Sequence, residues 1–577
     1  MNNPNSMTVT LSADLREMSR NERIKVESRG LFLVSPDGTT FQQEIRDLSS
    51  DTSSTLSGTG KELSKFFGIY RQQARGERGK KLKEYFFMVR IKNPGGGLLS
   101  PNQWKALDDA ASEFADGTLR ITSRQAIQYH HVNGPALAPL IRFLSRHYRP
   151  DATLAACGDV NRNVMVSPMY EVDPDKDLGG LELAREIANA LSSKSRAYFE
   201  VFKENPDGTK FHLDPEEPVY GRQYLPRKFK IGIAHPRDNS ADILTQDVGW
   251  IPAKSGGALA DDWWDLYSGG GLGLTHNNPK TSAHLGLYLG QVQRCQVVSA
   301  TRAIVTLQRD HGDRKDRKQA RWKYTIRRLG IEFVKRELRK KFGIDLVDSV
   351  PSRLPNLDLH LGAHVLGRNK YYYGISIPSG RLTDKRRQAI REIVETQSAS
   401  ILLTPHQDLL LCGIQSSESV DTILKRHQVD TQDEISTVRQ NAMACPAKPT
   451  CGLAMTEAER ILPNYLAAIE AAGFGGVDAV IRMTGCPNNC ARPPSAEIGI
   501  YGYGKNDHVL LVGGSKRGDR LAKVLYDRIP GEDMEDVLIG LFGAISSYKP
   551  SDQEVGHFLH TTPVETLKHW IGDFSRR

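Results

Sequence analysis

Two stretches far apart in the chain carry the same succession of apolar runs, turn residues and spaced apolar positions. "YFFMVRIKNPGGGLLSPNQWKALDDAASEF", from residue 85, opens on an apolar run, passes through a Pro/Gly turn and a polar segment, and then spaces its apolar residues as a helix does. "YYYGISIPSGRLTDKRRQAIREIVE", from residue 371, does the same. Each predicts a strand, a turn, a polar helix start and an amphipathic helix. Next come "LRITSRQAIQYHHV" at 119–132 and "ILLTPHQDLLLCGI" at 401–414, which align Thr122 with Thr404 and Gln125 with Gln407. Both run on into a helical stretch ending in Arg-His. A strand–helix–strand–helix unit of roughly 70 residues therefore occurs twice.

The segments that follow echo each other too. The first unit is followed by "ACGDVNRNVMVSP" and "YLPRKFKIGIA", the second by "ACPAKPTCGLAM" and "VIRMTGCPNNCARPPSAEIGIYG". A glycine-rich "YSGGGLGLTH" at 267–276 has a weaker partner in "LVGGSKRGDR" at 511–520. The pattern predicts an α+β fold with a pseudo-twofold repeat: two small α+β units and two larger α/β units around a shared cleft. The units are expected at 61–150, 151–345, 346–425 and 426–577, behind a polar, Ser/Thr-rich arm at 1–60.

Composition narrows the class. At 577 residues the chain is too long for one core and suits several units of roughly 100–200 residues. Apolar residues make up 39% and charged residues 25%, as in soluble globular proteins. No stretch approaches the ~18 apolar residues of a membrane span. The first twenty residues show no apolar leader, so a cytoplasmic setting with reduced thiols is expected. The net charge of +9 is a mild excess, short of the concentrated basic face that nucleic acid demands. The densest basic run, "RDHGDRKDRKQARWKYTIRR" at 309–328, is ordinarily a solvated helix face; the sharper reading is an anion-binding wall.

The cysteines change the picture. Four of the seven fall in two close pairs, Cys445/Cys451 and Cys486/Cys490, with spacings C-x5-C and C-x3-C. Single buried cysteines are common in cores, but two such pairs in a reduced compartment point to metal or redox chemistry. Structural zinc favours a tighter knuckle, and the wide first loop suits an iron–sulfur cluster better. Cys157, Cys295 and Cys412 stand apart and are expected to be dispensable. The two copies also differ in charge: Arg120 and Arg124 of the first become Leu402 and His406 in the second, and all four paired cysteines lie in the second. Lys228 and Lys230 alternate along "PRKFK" and can face one cleft, with Phe229 opposite. The plainer reading is an exposed basic strand edge.

From about residue 60 to the end, the motifs "LRITSRQAIQYH", "NRNVM", "YLPRKFK", "GGGL", "DRKQARWKY" and both cysteine pairs resemble the sirohaem-dependent sulfite and nitrite reductase family. The resemblance implies ferredoxin-like small units and larger sirohaem-binding domains around a central cofactor cleft. It implies that Cys445, Cys451, Cys486 and Cys490 bind a [4Fe-4S] cluster, with Cys490 also axial to the sirohaem iron. Arg90, Arg162, Lys228 and Lys230 become the catalytic cations on the distal face. Arg120, Arg124, Gln128, His130, Lys280, Arg314, Arg317, Lys318 and Lys323 become candidates for the eight sirohaem carboxylates, with backbone N–H groups from Gly269, Gly270 and Gly271. The implied reaction is the six-electron reduction of sulfite to sulfide, which breaks three S–O bonds and consumes protons. Nitrite reduction is the near alternative; Lys230 bears on the choice, since the family's nitrite reductases tend to carry Asn there. A zinc-stabilised binding protein without catalysis is the alternative from another class. No G-x-G-x-x-G lies between a strand and a helix, so electrons are expected from a partner, either an NADPH-dependent flavoprotein subunit or a ferredoxin. Two positions depart from the family: Asn489 where Gly is usual, and the polar Lys448 in the first cysteine loop.

Overall fold

The computed structural model describes residues 14–574 apart from 29–30, 32, 36, 51–54, 76–80, 148–152, 155–157, 174–178, 194–216, 222, 256–257 and 368–369. The long strand Lys81–Lys92 is the centre of a sheet ordered Ile69–Arg75, Lys81–Lys92, Ile127–Val132, Leu119–Ile121, Arg381–Leu382, with Thr153–Leu154 also paired to the long strand. Helix Pro101–Phe114 packs here. Ser100 caps it in a reciprocal capping box with Gln103, and Trp104, Leu107, Ala110 and Ala111 form its buried stripe. The second small sheet, ordered Gly362–Gly367, Lys370–Ile375, Leu409–Ile414, Ser400–Leu403, carries helices Asp384–Gln397 and Ser417–Arg426.

The two small units interlock. The short strand Arg381–Leu382 completes the first sheet, placing Arg381 opposite Arg120. The glutamines that align in sequence cross over: Gln125 donates its side-chain amide to the Leu403 carbonyl at 2.8 Å, and Gln407 donates to the Ile121 carbonyl at 3.4 Å. Both take left-handed backbone angles, at φ 52° and 76°. This reciprocal contact marks the pseudo-dyad.

The larger sheets repeat each other strand by strand. One runs Met165–Val166, Ile231–Ile233, Val248–Ser255, Ala258–Ser268, Leu287–Gln293; the other runs Ala442–Ala444, Ile481–Thr484, Ile498–Gly502, Asp507–Val512, Lys523–Pro530. In each, the first two pairings are parallel and the last two antiparallel. The tight turns repeat as well. Asp242 and Arg492, both left-handed, open short 3-10 turns at Ile243–Thr245 and Pro493–Ser495. Across the pseudo-dyad the buried Asp242 carboxylate accepts from Arg492 Nε at 2.5 Å and Arg482 Nη1 at 2.6 Å. This clamp joins the two large units through charge-assisted hydrogen bonds from two guanidiniums to one buried carboxylate.

The stretch read as a polar arm is packed where it is described. Ile24, Leu31, Phe41, Ile45 and Leu48 join the main core. Phe41, Ile45 and Leu48 sit on one stripe of helix Phe41–Ser49, which overall composition conceals.

Candidate active site

Parallel pairing brings the two cysteine motifs together. Strands Ala442–Ala444 and Ile481–Thr484 lie side by side with Ala444 opposite Met483, so Cys445 and Cys486 leave neighbouring carboxyl ends. Ligand sites in open α/β sheets form at such ends. The wide loop then folds back onto Gly485, whose carbonyl accepts from Met455 and Thr456 N–H at 2.7 and 3.1 Å. A Cβ at Gly485 would meet the Thr456 carbonyl at 2.5 Å, so glycine is needed there. Asn488 donates to Cys486 Sγ and the Gly485 N–H to Cys445 Sγ, both at 3.5 Å. The four thiols share one field. Burial raises the pKa of Cys445, Cys451 and Cys486, the last to about 11, and the Cys490 thiolate raises each of them further. Among the described residues, no three His, Cys, Asp or Glu side chains gather tightly enough for a single ion. Four soft sulfur ligands carried on two neighbouring loops suit a polynuclear cluster, whereas structural zinc favours a tighter knuckle.

The departure at Asn489 is accommodated. Its backbone is left-handed at φ 53°, a conformation Asn tolerates, and its amide donates to the Leu272 carbonyl at 2.9 Å. With the Leu274 N–H to the Pro487 carbonyl at 2.9 Å, this docks the second cysteine turn on the glycine loop of copy one. Ser123 closes the other side by donating to the Cys490 carbonyl at 3.0 Å.

The predicted cations gather around that turn. Arg162 donates its backbone N–H to the Phe229 carbonyl at 2.8 Å, which sets it beside Lys228 and Lys230 on adjoining parallel segments. Lys228 lines a cavity of about 290 Å³ with Arg227, Arg317, Lys318, Arg321 and Asn488. Lys228 and Lys230 have no hydrogen-bond or ion-pair partner for their ammonium groups among the described residues. Burial, then Arg124 and Arg321, pulls Lys230 down to about 7. Burial, then Arg227 and Lys230, pulls Lys228 well below the ordinary lysine range. The Cys490 thiolate opposes both shifts, which places it by the two lysines. Arg90 lies opposite Gln128, whose amide, oriented to accept, takes the Arg90 Nε at 2.9 Å. Arg90 also lowers Cys451, so it faces the thiol cluster. His130 is buried with both ring nitrogens unpartnered among the described residues, as a side chain aimed at a ligand would be.

Several residues do other work than the sequence suggested. Gly269, Gly270 and Gly271 do not offer their N–H groups to a carboxylate: these already donate to Asp247, Gln246 and His284 carbonyls at 2.9, 2.8 and 2.8 Å. Gly270 is glycine because a Cβ would meet the Leu244 and Gln246 carbonyls at 2.1 and 2.5 Å. Lys323 is spent on the carbonyls of Gly271, Gly273 and Ser282, and shapes the glycine loop instead of reaching a ligand. Arg314 pairs with Glu22 at 2.5 Å and two backbone carbonyls, tying the N-terminal helix down. Arg317 grips Asp159 with both Nη atoms at 2.9 and 3.0 Å while lining the cavity. Arg120 is buried against Glu459 and the Ala444 carbonyl, behind Cys445. Arg124 donates to Gln246 at 2.7 Å and to the Asn163 carbonyl at 2.5 Å. Lys280 is exposed, and Lys318 is exposed at the cavity rim. Cys295 is exposed and Cys412 buried, away from the four; Cys157 lies outside the described residues.

Sequence reasoning passed over Arg227, Arg321, Asn488 and Glu459. Arg227 and Arg321 sat inside quoted motifs, "PRKFK" and "DRKQARWKY", and were legible as further cations. Glu459 carried no local signal.

Comparison with known proteins agrees with this geometry. Residues 78–146 and 364–426 match the family described as nitrite/sulfite reductase ferredoxin-like half domain, and residues 157–346 match the nitrite and sulphite reductase 4Fe-4S domain. The latter falls on the copy-one sheet, the repeat mate of the sheet that carries the cysteines. A sulfite reductase [ferredoxin] of Synechococcus elongatus is 36% identical over 96% of this chain and 91% of its own length. The sulfite reductase [NADPH] hemoprotein beta-component of Chromohalobacter salexigens is 36% identical over 95% of this chain and 96% of its own. That of Staphylococcus saprophyticus is 34% identical over 89% and 91%. In structure, the Mycobacterium tuberculosis NirA protein shares the fold with a TM-score of 0.75, at 21% identity over 96% of this chain and 98% of its own. Identity at this level across nearly the whole length of several relatives, on a fold with the same repeated halves, shows that the chain belongs to the nitrite and sulfite reductase family.

Proposed function

We propose that this chain reduces sulfite to sulfide, taking six electrons from a separate donor protein. The observation that carries the reading is the meeting of opposites at the pseudo-dyad: four thiols from copy two beside Lys228 and Lys230 of copy one, whose ammonium groups lack partners. Cys445, Cys451, Cys486 and Cys490 would hold the [4Fe-4S] cluster, with Cys490 also serving the sirohaem iron, and His130 and the cavity cations would face the macrocycle's carboxylates. When bound, the two cofactors would supply the electrons for the reduction. Arg162 and Arg90 bind and orient the anion. Lys228 and Lys230 carry depressed pKa values, so each releases a proton more readily than an exposed lysine as oxygen departs as water. An arriving anion restores their charge, which couples binding to proton uptake.

The names of the relatives divide between ferredoxin and NADPH donors, and the proposal extends to an electron-donor protein of either kind. No helix among the described residues is long and apolar enough to cross a membrane. The unit boundaries at 61–150, 151–345, 346–425 and 426–577 are part of this reading, supported by the matching strand orders of the two halves. The test is sulfide formation from sulfite by the purified protein with reduced methyl viologen. Sulfite-dependent oxidation of the dye with sulfide as product is expected. No sulfide, with nitrite consumed instead, would overturn the assignment.

A further inference from the structure

A second, smaller cavity shares no lining residue with the cation cleft, and the reaction does not use it. Its volume is about 20 Å³, and Lys92, Asn161, Tyr220, Tyr224, Ser193 and Phe66 are among its walls. The space is far smaller than the cation cleft and has room for a small occupant. The hydroxyls on its wall are engaged. Tyr220 donates to the Leu191 carbonyl at 2.5 Å and accepts from the Asn161 N–H at 3.2 Å, and Ser193 contacts Tyr224 at 3.0 Å and Glu217 at 3.1 Å.

Two groups are not engaged. Asn161 is 3% exposed, and neither its side-chain oxygen nor its nitrogen has a partner among the described residues. Lys92 is 5% exposed, and no hydrogen bond or ion pair to its ammonium is present among the described residues. Burial alone lowers its pKa, to about 8; no carboxylate contributes. Glu217, the acidic group beside the cavity, is held by Ser193 and by the Val219 N–H at 3.3 Å. A buried ammonium without a counter-charge is costly, and an unpaired amide beside it adds to the cost. The site therefore lacks one negative charge and one hydrogen-bond acceptor in the same small space.

We propose that this cavity binds one small monovalent anion of halide size, held by the Lys92 ammonium and the Asn161 side-chain amide. Lys92 stands two residues along the strand from Arg90, and Asn161 immediately precedes Arg162. The occupant thus lies close along the chain to two cations of the cleft and balances a charge that would otherwise add to theirs.

The test is thermal unfolding of the purified protein at constant ionic strength, with sodium chloride replacing sodium gluconate. The wild type is expected to show a saturable rise in unfolding temperature with chloride, and Lys92→Met, which keeps the length of the side chain, to lose it. The same chloride dependence in both proteins, or none in the wild type, overturns the proposal. Should Lys92→Met fail to fold, wild-type crystals soaked in sodium bromide decide. An anomalous peak between Lys92 Nζ and the Asn161 amide supports the site, and a water or no density there overturns it.

Discussion

Replacing Lys230 with Asn removes one of two lysines that alternate into the cleft and keeps a hydrogen-bond donor in its place. Two unit charges ~4 Å apart at an effective dielectric near ~20 interact by about 4 kcal/mol. Sulfite carries about one more negative charge than nitrite at neutral pH, so the full effect of Lys230 on the choice between them is bounded by that figure. Two features of the structure reduce it. Lys230 is half-buried, and its pKa of about 7 leaves it roughly half protonated before the anion arrives, so binding must also complete the charge. Lys228, Arg162 and Arg90 also remain. A third to two-thirds of the bound, about 1.4–2.7 kcal/mol, corresponds to roughly ten- to a hundredfold in the ratio of specificity constants. Steady-state kinetics with reduced methyl viologen as donor should show kcat/KM for sulfite falling by that factor in Lys230→Asn, with the nitrite value equal or higher. An unchanged sulfite-to-nitrite ratio would refute the view that Lys230 reads substrate charge.

Changing Cys445, Cys451 or Cys486 to Ser should deplete iron and acid-labile sulfide, whereas Cys295→Ser and Cys412→Ala should retain both; colorimetric assay of each variant decides. Lys230 also makes anion binding pH-dependent. Its folded pKa lies below the ordinary lysine value of 10.5, so its protonated form is disfavoured in the anion-free protein, and the penalty is absent at high pH, grows as pH falls and is complete below about 7. Sulfate keeps its charge over this range, so the rise in unfolding temperature that it produces should be larger at pH 6.5 than at pH 8.5, and flatter in Lys230→Met. Glu459→Gln leaves Arg120 and Arg381 without their shared carboxylate. Removing one partner of a buried pair costs about 3–5 kcal/mol, reduced here to about 2–3 because Arg381 and Glu459 are partly exposed, and calorimetry should show the lower unfolding temperature. Arg162→Ala should cut turnover at least tenfold with cofactor content intact, while Lys385→Ala, on an exposed helix face of copy two, should not.

The sequence disclosed what is local or repeated. Gln125 and Gln407 could be aligned by eye, and each proved to reach across to the other half. The cysteine pairs were legible because soft ligands at fixed spacing have few other uses, and Lys228 and Lys230 because strand alternation puts both on one face. The sirohaem candidates were harder, because a basic residue looks the same whether it faces a ligand or a distant carboxylate. Arg120 finds Glu459 and Arg314 finds Glu22, partners separated by 339 and 292 positions. Lys323 finds three carbonyls of a loop that only the folded chain brings under it. The glycine triplet was visible, but its N–H groups are taken by backbone carbonyls and its middle member is glycine because of close backbone approach. Nothing in the sequence marked Lys92 as buried without a partner, since burial there depends on packing from the N-terminal segment and from the 217–225 turn.

The central claim is that four thiols from one half of the repeat hold a cluster against a haem-type centre in the cation cleft of the other half. Iron and acid-labile sulfide analysis of the purified protein, read with its visible absorption spectrum, tests this most directly. The account predicts about five irons for four acid-labile sulfides per chain, with strong visible bands that Cys490→Ser abolishes or shifts. A colourless protein holding one zinc per chain, or a coloured one whose spectrum is indifferent to Cys490, would contradict it.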